Sequence, residues 1–242
     1  MKNKRFAWWG LMLGIGLMAG CIDDDQEVEP ENRSGLTVVN SFIEAQAAVH
    51  RVDIGRGLQQ IGAPLQYGAS TFFAIPSRDD CRLEVVPVDD VAVKLADTTV
   101  TFAVNRFYSS FVFGTRSAPR YFLTDDRLPE GTENPASVAG LRFYNLANTA
   151  HRVTLHISSQ EPLEAFRNRP TETGTSGRAA EQFILTTDTG THVLSVVDEA
   201  GNQLVRRTGV ALDPGDYLTV FLTGDDGENF YYIGVIRHLG VN

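Results

Sequence analysis

Five histidines, two cysteines, thirty carboxylates and a local group of arginines are the residues with which this 242-residue chain could do chemistry. His50, His151, His156, His192 and His238 occur without an HxH, HExxH or Cys–His spacing, so no zinc site is indicated. His151 and His156 are five apart, which on a strand sends them to opposite faces. Paired aspartates fall at chain breaks without the spacing of a calcium loop, and read as solvated turns and strand ends. No nucleophile elbow or glycine-rich phosphate loop is present, so neither a catalytic residue nor a cofactor is indicated. A glycosidase pair of carboxylates is a spatial arrangement that spacing cannot name. The arginines are Arg167, Arg169 and Arg178, in a long segment, 161–181, that carries Pro162, Pro170, Gly174 and Gly177. An arginine fork pairs bidentately with carboxylate or phosphate, so this loop is a candidate contact for an anionic glycan or an acidic partner. Glu161, Glu164, Glu172 and Glu181 stand among the same arginines and can neutralise them as exposed ion pairs.

The cysteines divide by position. Lys2, Lys4 and Arg5 open the chain, and an uncharged stretch follows from Phe6 to Gly20. Its length suits the apolar region of a secretory signal and is short for a membrane-spanning helix. It ends Leu17-Met18-Ala19-Gly20-Cys21, which resembles the lipobox of bacterial lipoproteins, with Met18 where that family prefers Leu. The resemblance implies cleavage before Cys21, acylation of its sulfur, and a protein held to membrane lipid by its first residue. Two or more acyl chains anchor stably, where one does so only marginally. Ile22 after the cysteine lacks the inner-membrane retention signal, so the resemblance implies the outer membrane, facing the periplasm or the cell surface. Cleavage removes the three cations and takes the formal charge from −9 to −12. Such a body is repelled by anionic lipid surfaces and has no general affinity for nucleic acid. The acidic stretch that follows, IDDDQEVEPENRSG, reads as a solvated tether. Cys81, left without a partner, reads as a small buried residue at the start of a strand.

The elements that must position these residues are strands. Short β-branched and aromatic runs between turn signals lie at 36–42, 49–54, 71–75, 82–88, 98–104, 108–113 and 120–124. A second set lies at 141–146, 152–157, 182–186, 192–197, 203–212, 217–222 and 230–236. Asp213-Pro214-Gly215-Asp216 is a turn by its chemistry. One helical turn is expected at Leu163–Phe166. Tyr231 and Tyr232 cannot both point inward, so one is exposed or covered by the other half. The two sets look duplicated. Asn40 and Asn145 close similar opening strands 105 residues apart, and Tyr108 and Tyr217 lie in similar aromatic strands 109 apart. Units of this size suit β-sandwiches.

At Phe143-Tyr144-Asn145, Tyr217-Leu218-Thr219-Val220-Phe221 and Leu123-Thr124-Asp125-Asp126 the chain resembles the bacterial domain-of-unknown-function family 4397. The resemblance implies paired immunoglobulin-like sandwiches in an exported protein and carries no activity. That family's Asp-Ala-Pro turn after the first strand is absent.

The expectation is an all-β protein of two tandem immunoglobulin-like antiparallel β-sandwich domains. Its parts are a lipoprotein signal peptide (1–20), an acidic tether (21–35), a first sandwich (36–127), a linker (128–139) and a second sandwich (140–242). The functional expectation is an envelope lipoprotein, not an enzyme, with a binding, adhesive or spacing role toward envelope glycan or protein. The alternatives are a carbohydrate-binding module, which needs exposed aromatics on one sheet face, and a carboxylate-dependent hydrolase, which needs paired acids in a cleft.

Overall fold

The computed structural model describes residues 32–127, 137–158 and 160–238. The expected signal peptide, Cys21, most of the expected tether and most of the expected linker lie outside them; the last tether residues, Arg33 to Gly35, belong to the first strand.

The protein is all-β, in two immunoglobulin-like sandwiches. The first half runs β1 (Arg33–Phe42), β2 (Ala47–Asp53), β3 (Leu58–Gln60), β4 (Leu65–Gln66), β5 (Ser70–Pro76), β6 (Arg78–Pro87), β7 (Ala96–Phe102), β8 (Phe107–Thr115) and β9 (Ala118–Asp125). Its sheets are β5-β1-β8-β9 and β3-β2-β6-β7, with β4 also on β2. The second half runs β10 (Ala139–Asn145), β11 (Val153–Ile157), α1 (Gly174–Ala179), β12 (Ile184–Thr186), β13 (Gly190–Asp198), β14 (Gln203–Leu212), β15 (Tyr217–Asp225) and β16 (Phe230–His238). Its sheets are β12-β10-β15-β16 and β11-β13-β14. Every sheet draws its strands from one half only.

Each half has its own core. Leu36, Val38, Leu83, Val85 and Phe102 meet inside the first; Leu141, Phe143, Leu155, Val196 and Val220 meet inside the second. Burying one such side chain fully contributes about 1.5–3 kcal/mol. The duplicated asparagine does the same work twice. Asn40 accepts from the Phe42 amide and donates to the Leu65 carbonyl at 2.9 Å. Asn145 accepts from the Ala147 amide and donates to the Arg169 carbonyl at 3.2 Å. Each fully buried amide ties its opening strand to the segment that follows, and neither is left unpaired.

Register corrects the repeat alignment by one residue. Leu36 pairs in parallel with Tyr108, and Leu141 with Leu218. Tyr217 is therefore the counterpart of Phe107, not of Tyr108. One aspartate reading also changes. Asp79 and Asp80 sit in an irregularity within β6, with Asp80 at a φ of 51°, rather than between strands. Asp126, which ends the family-like Leu123-Thr124-Asp125-Asp126 pattern just past β9, is buried. Cys81 is buried on β6, where its thiol donates to the Asp53 carbonyl at 2.9 Å.

His50 on β2 is buried with its Nε2 unpartnered, and that desolvation lowers its imidazole from 6.5 to about 4. The unfolded chain takes up the proton first as pH falls. The stability this neutral ring confers is full above pH 6.5 and is lost down through about 4. At pH 4.5 the loss is about 2–3 kcal/mol. His50→Leu is expected to flatten that part of a stability–pH curve measured by urea unfolding. A curve of unchanged slope would show that the ring is not held neutral.

Candidate functional site

The halves meet through the same face of each repeat. On one side stand Val39, Phe111, Phe113 and Phe122; on the other stand Tyr144, Leu146, Phe221 and Ile236, forming a third buried cluster. Phe111 stacks on Phe122 at 4.8 Å and meets the Tyr144 ring edge-on at 5.1 Å. Such ring pairs add about 0.5–1.5 kcal/mol beyond burial.

Beside this apolar patch lies a buried ionic network. Arg142 on β10 donates from Nη2 to Asp126 Oδ1 of the first half at 2.6 Å, and from Nε to Thr219 Oγ1 at 2.6 Å. Its Nη1 donates to the Glu181 carbonyl at 2.9 Å, and its guanidinium lies 4.6 Å from the Phe183 ring centre. Asp126 also accepts from Ser109 and Thr124 and stands 3.3 Å from His238 Nδ1. Burial works against the Asp126 carboxylate, but Arg142, His238 and Ser109 outweigh it and hold its pKa well below the usual range. Burial likewise keeps the His238 imidazole below its ordinary value, against the opposing pull of Asp126.

Thr219, His238 and Asp126 have the connectivity of a nucleophile–base–acid relay, with Thr219 Oγ1 at 2.7 Å from His238 Nε2. They are built as a clamp. Thr219 is fully buried, and Arg142 already donates to the oxygen that would attack.

His238 also forms part of the wall of an open cleft of about 360 Å³ between the halves. Thr37, Ser70, Phe72 and Phe107 of the first half line one side; Val235 to His238 of β16 line the other. Register places Thr37 opposite Phe72, and Gly35 opposite Phe107. Gly35 is required here, because a Cβ would lie 2.5 Å from the Phe107 ring and 2.7 Å from that of Phe72. The two rings stack over it with centres 6.3 Å apart. Phe72 remains 54% exposed, a large apolar surface to leave in water. Phe72 is not among the residues that the sequence singles out by motif or spacing. The signal was present as a Phe72-Phe73 pair on an alternating strand, where one ring had to face outward.

The arginines expected to act as a site are placed differently. Segment 161–181 is not a free insertion. A 3-10 turn at Glu164–Phe166 buries Phe166, and α1 packs on the first half, with Gly177 against the Phe122 ring. The helix was missed because Gly-Thr-Ser-Gly has poor helix propensity; its signal was Thr173 and Ser176, which form a reciprocal N-terminal cap. Arg167 donates to Glu161 at 3.0 Å and to the Pro162 carbonyl. Arg169 pairs with the buried Glu172, and Arg178 lies exposed in the last turn of α1. Two of the three thus have acidic partners within the same segment. Tyr231 is half-buried and donates to Asp226, while Tyr232 is exposed near Arg207. Among the described residues no cluster of His, Cys, Asp and Glu is arranged to hold a metal.

No family model matches the chain, and no curated protein matches it. Among solved structures it is similar to a carbohydrate-binding module of family CBM26 from Eubacterium rectale, crystallised with maltoheptaose. The identity is 8% and the TM-score 0.28, over 85% of this chain and 97% of that one. A likeness of that size carries no argument about ligand or mechanism.

Proposed function

We propose that this chain is a lipid-anchored, non-catalytic binding protein of the bacterial envelope, held at the outer membrane through acylated Cys21 and built from two copies of a domain resembling family 4397. The observation that carries the binding role is the cleft between the halves. One of its walls carries a stacked phenyl pair, Phe72 exposed and Phe107 half-buried, and both walls adjoin the buried contacts around Asp126 and Arg142. Rigid walls present such a surface with little ordering cost on binding. The non-catalytic reading is supported by the burial of Thr219 and by its capture by Arg142. The 161–181 arginines are a second candidate contact, of which only Arg178 has no acidic partner among the described residues.

The anchor is tested by replacing Cys21. In cells fed a labelled fatty acid, the wild-type protein is expected to carry label and sediment with membranes. Cys21→Ser is expected to lose the label and to leave the membrane or remain unprocessed. Wild-type protein without label, recovered in the soluble fraction, would overturn the anchored reading.

A further inference from the structure

The cleft is the vacant counterpart of the Arg142 site. By register Thr37 corresponds to Arg142, Phe107 to Tyr217 and Ser109 to Thr219. Continuing the edge-strand pairings, Phe72 corresponds to Phe183, and continuing the next pair, Asp126 corresponds to His238. Arg142 of the second half reaches across to Asp126 of the first. Thr37 of the first half faces His238 of the second, and its short side chain leaves open the space that a guanidinium fills in the other copy.

The substitutions also say what fits. Asp126 gives the Arg142 guanidinium its counter-charge, and His238 stands in that place in the cleft, so a cation has no partner there. His238 is buried with both ring nitrogens engaged, to Asp126 and Thr219. Arg237 turns its guanidinium to Asp216 and to the Ala211 carbonyl. An anion therefore meets no uncommitted positive charge on these walls. Among the described residues no hydrogen bond engages the hydroxyl of Thr37 or Ser70. What remains is a phenyl ledge beside two available hydroxyls, with no net charge.

We infer that the cleft binds a neutral pyranose ring of a glycan, its C–H face on Phe72 and Phe107 and its hydroxyl edge toward Thr37 and Ser70. An aromatic or aliphatic side chain would satisfy the ledge and leave the hydroxyls unused. A sugar has both an apolar face and a hydrogen-bonding rim, which is the division the cleft presents. The inference rests on the cleft being the binding surface and adds the class of ligand.

The test is calorimetric titration of the full chain with neutral gluco-, galacto- and manno-oligosaccharides, and with a phenylalanine-rich peptide as the competing class. Two variants accompany the wild type. Phe72→Ala removes an exposed ring, is expected to leave the circular dichroism spectrum unchanged, and is expected to weaken sugar binding about tenfold. Thr37→Arg places in the cleft the side chain the second copy already carries there, and is expected to abolish binding. The inference is overturned if no oligosaccharide binds the wild type, or if both variants bind as the wild type does. Peptide binding that depends on Phe72 would reject the sugar and keep the cleft as a binding surface. Binding of neither class would count against both.

Discussion

Replacing Arg142 by methionine is expected to destabilise the protein by about 3–5 kcal/mol, because it leaves the Asp126 carboxylate buried without its main counter-charge. Both side chains are almost wholly enclosed, so solvent screening offers little relief. Thr219 and the Glu181 carbonyl lose a donor in the same step. The His238 imidazole is held down partly by repulsion from Arg142, so its pKa should rise in the variant as it becomes the only cation beside Asp126. Nuclear magnetic resonance titration of the His238 ring reads that shift, and urea unfolding reads the stability. A second variant, Arg142→Met with Asp126→Leu, removes both charges and should recover much of the loss, as apolar replacements of buried pairs commonly do. A stable single variant with an unshifted His238 would show that the pair bears no load. The pair also sets an acid limit. A carboxylate held below its usual pKa confers stability that is full above about pH 4 and is lost as pH falls further, toward the depressed value.

Phe111→Ala should cost about 3–5 kcal/mol, and the manner of the loss matters as much as its size. Phe111 is fully buried and touches Phe122 of its own half and Tyr144 of the other. The two halves share that cluster, the Arg142–Asp126 pair, the Tyr67–Thr223 hydrogen bond and the Arg120 contact with the Glu172 carbonyl. The described residues from Asn32 on accordingly form one compact unit. Wild-type unfolding is expected as a single transition reported alike by probes in each half. Phe111→Ala should lower it as one transition, or split it into two. Two well-separated transitions in the wild type would contradict the shared core.

The strand content was legible because alternating β-branched and aromatic residues between Gly, Pro and Asp turns encode sheet edges well. The extra strands β3 and β4 were not, since they are three and two residues long and lie among Gly55, Gly57, Gly62 and Pro64. The duplication was legible in Asn40 and Asn145, although Tyr108 and Tyr217 suggested a register that the sheet corrects. The cleft was not legible. Its meaning lies in one copy having Thr37 where the other has Arg142, and that difference acquires sense only once the two faces are seen to pack on each other. Asp126 was quoted for its strand-ending pattern, but nothing local announces that a second half will bury it. The arginines were conspicuous in a chain that has Lys94 as its only lysine after Lys4, yet two of them are matched by neighbouring glutamates. Local charge does not distinguish a neutralised loop from a binding one.

The most direct measurement of the proposed binding role compares what the full chain retains from intact envelopes. Three forms are needed: the wild type, Phe72→Ala, and a triple alanine variant at Arg167, Arg169 and Arg178. Retained glycan and protein are quantified by mass spectrometry at low and moderate salt. The cleft account predicts that Phe72→Ala loses the retained component while the triple variant keeps it, with little salt dependence. Retention that survives in Phe72→Ala, and falls with the arginines or with salt, would contradict it.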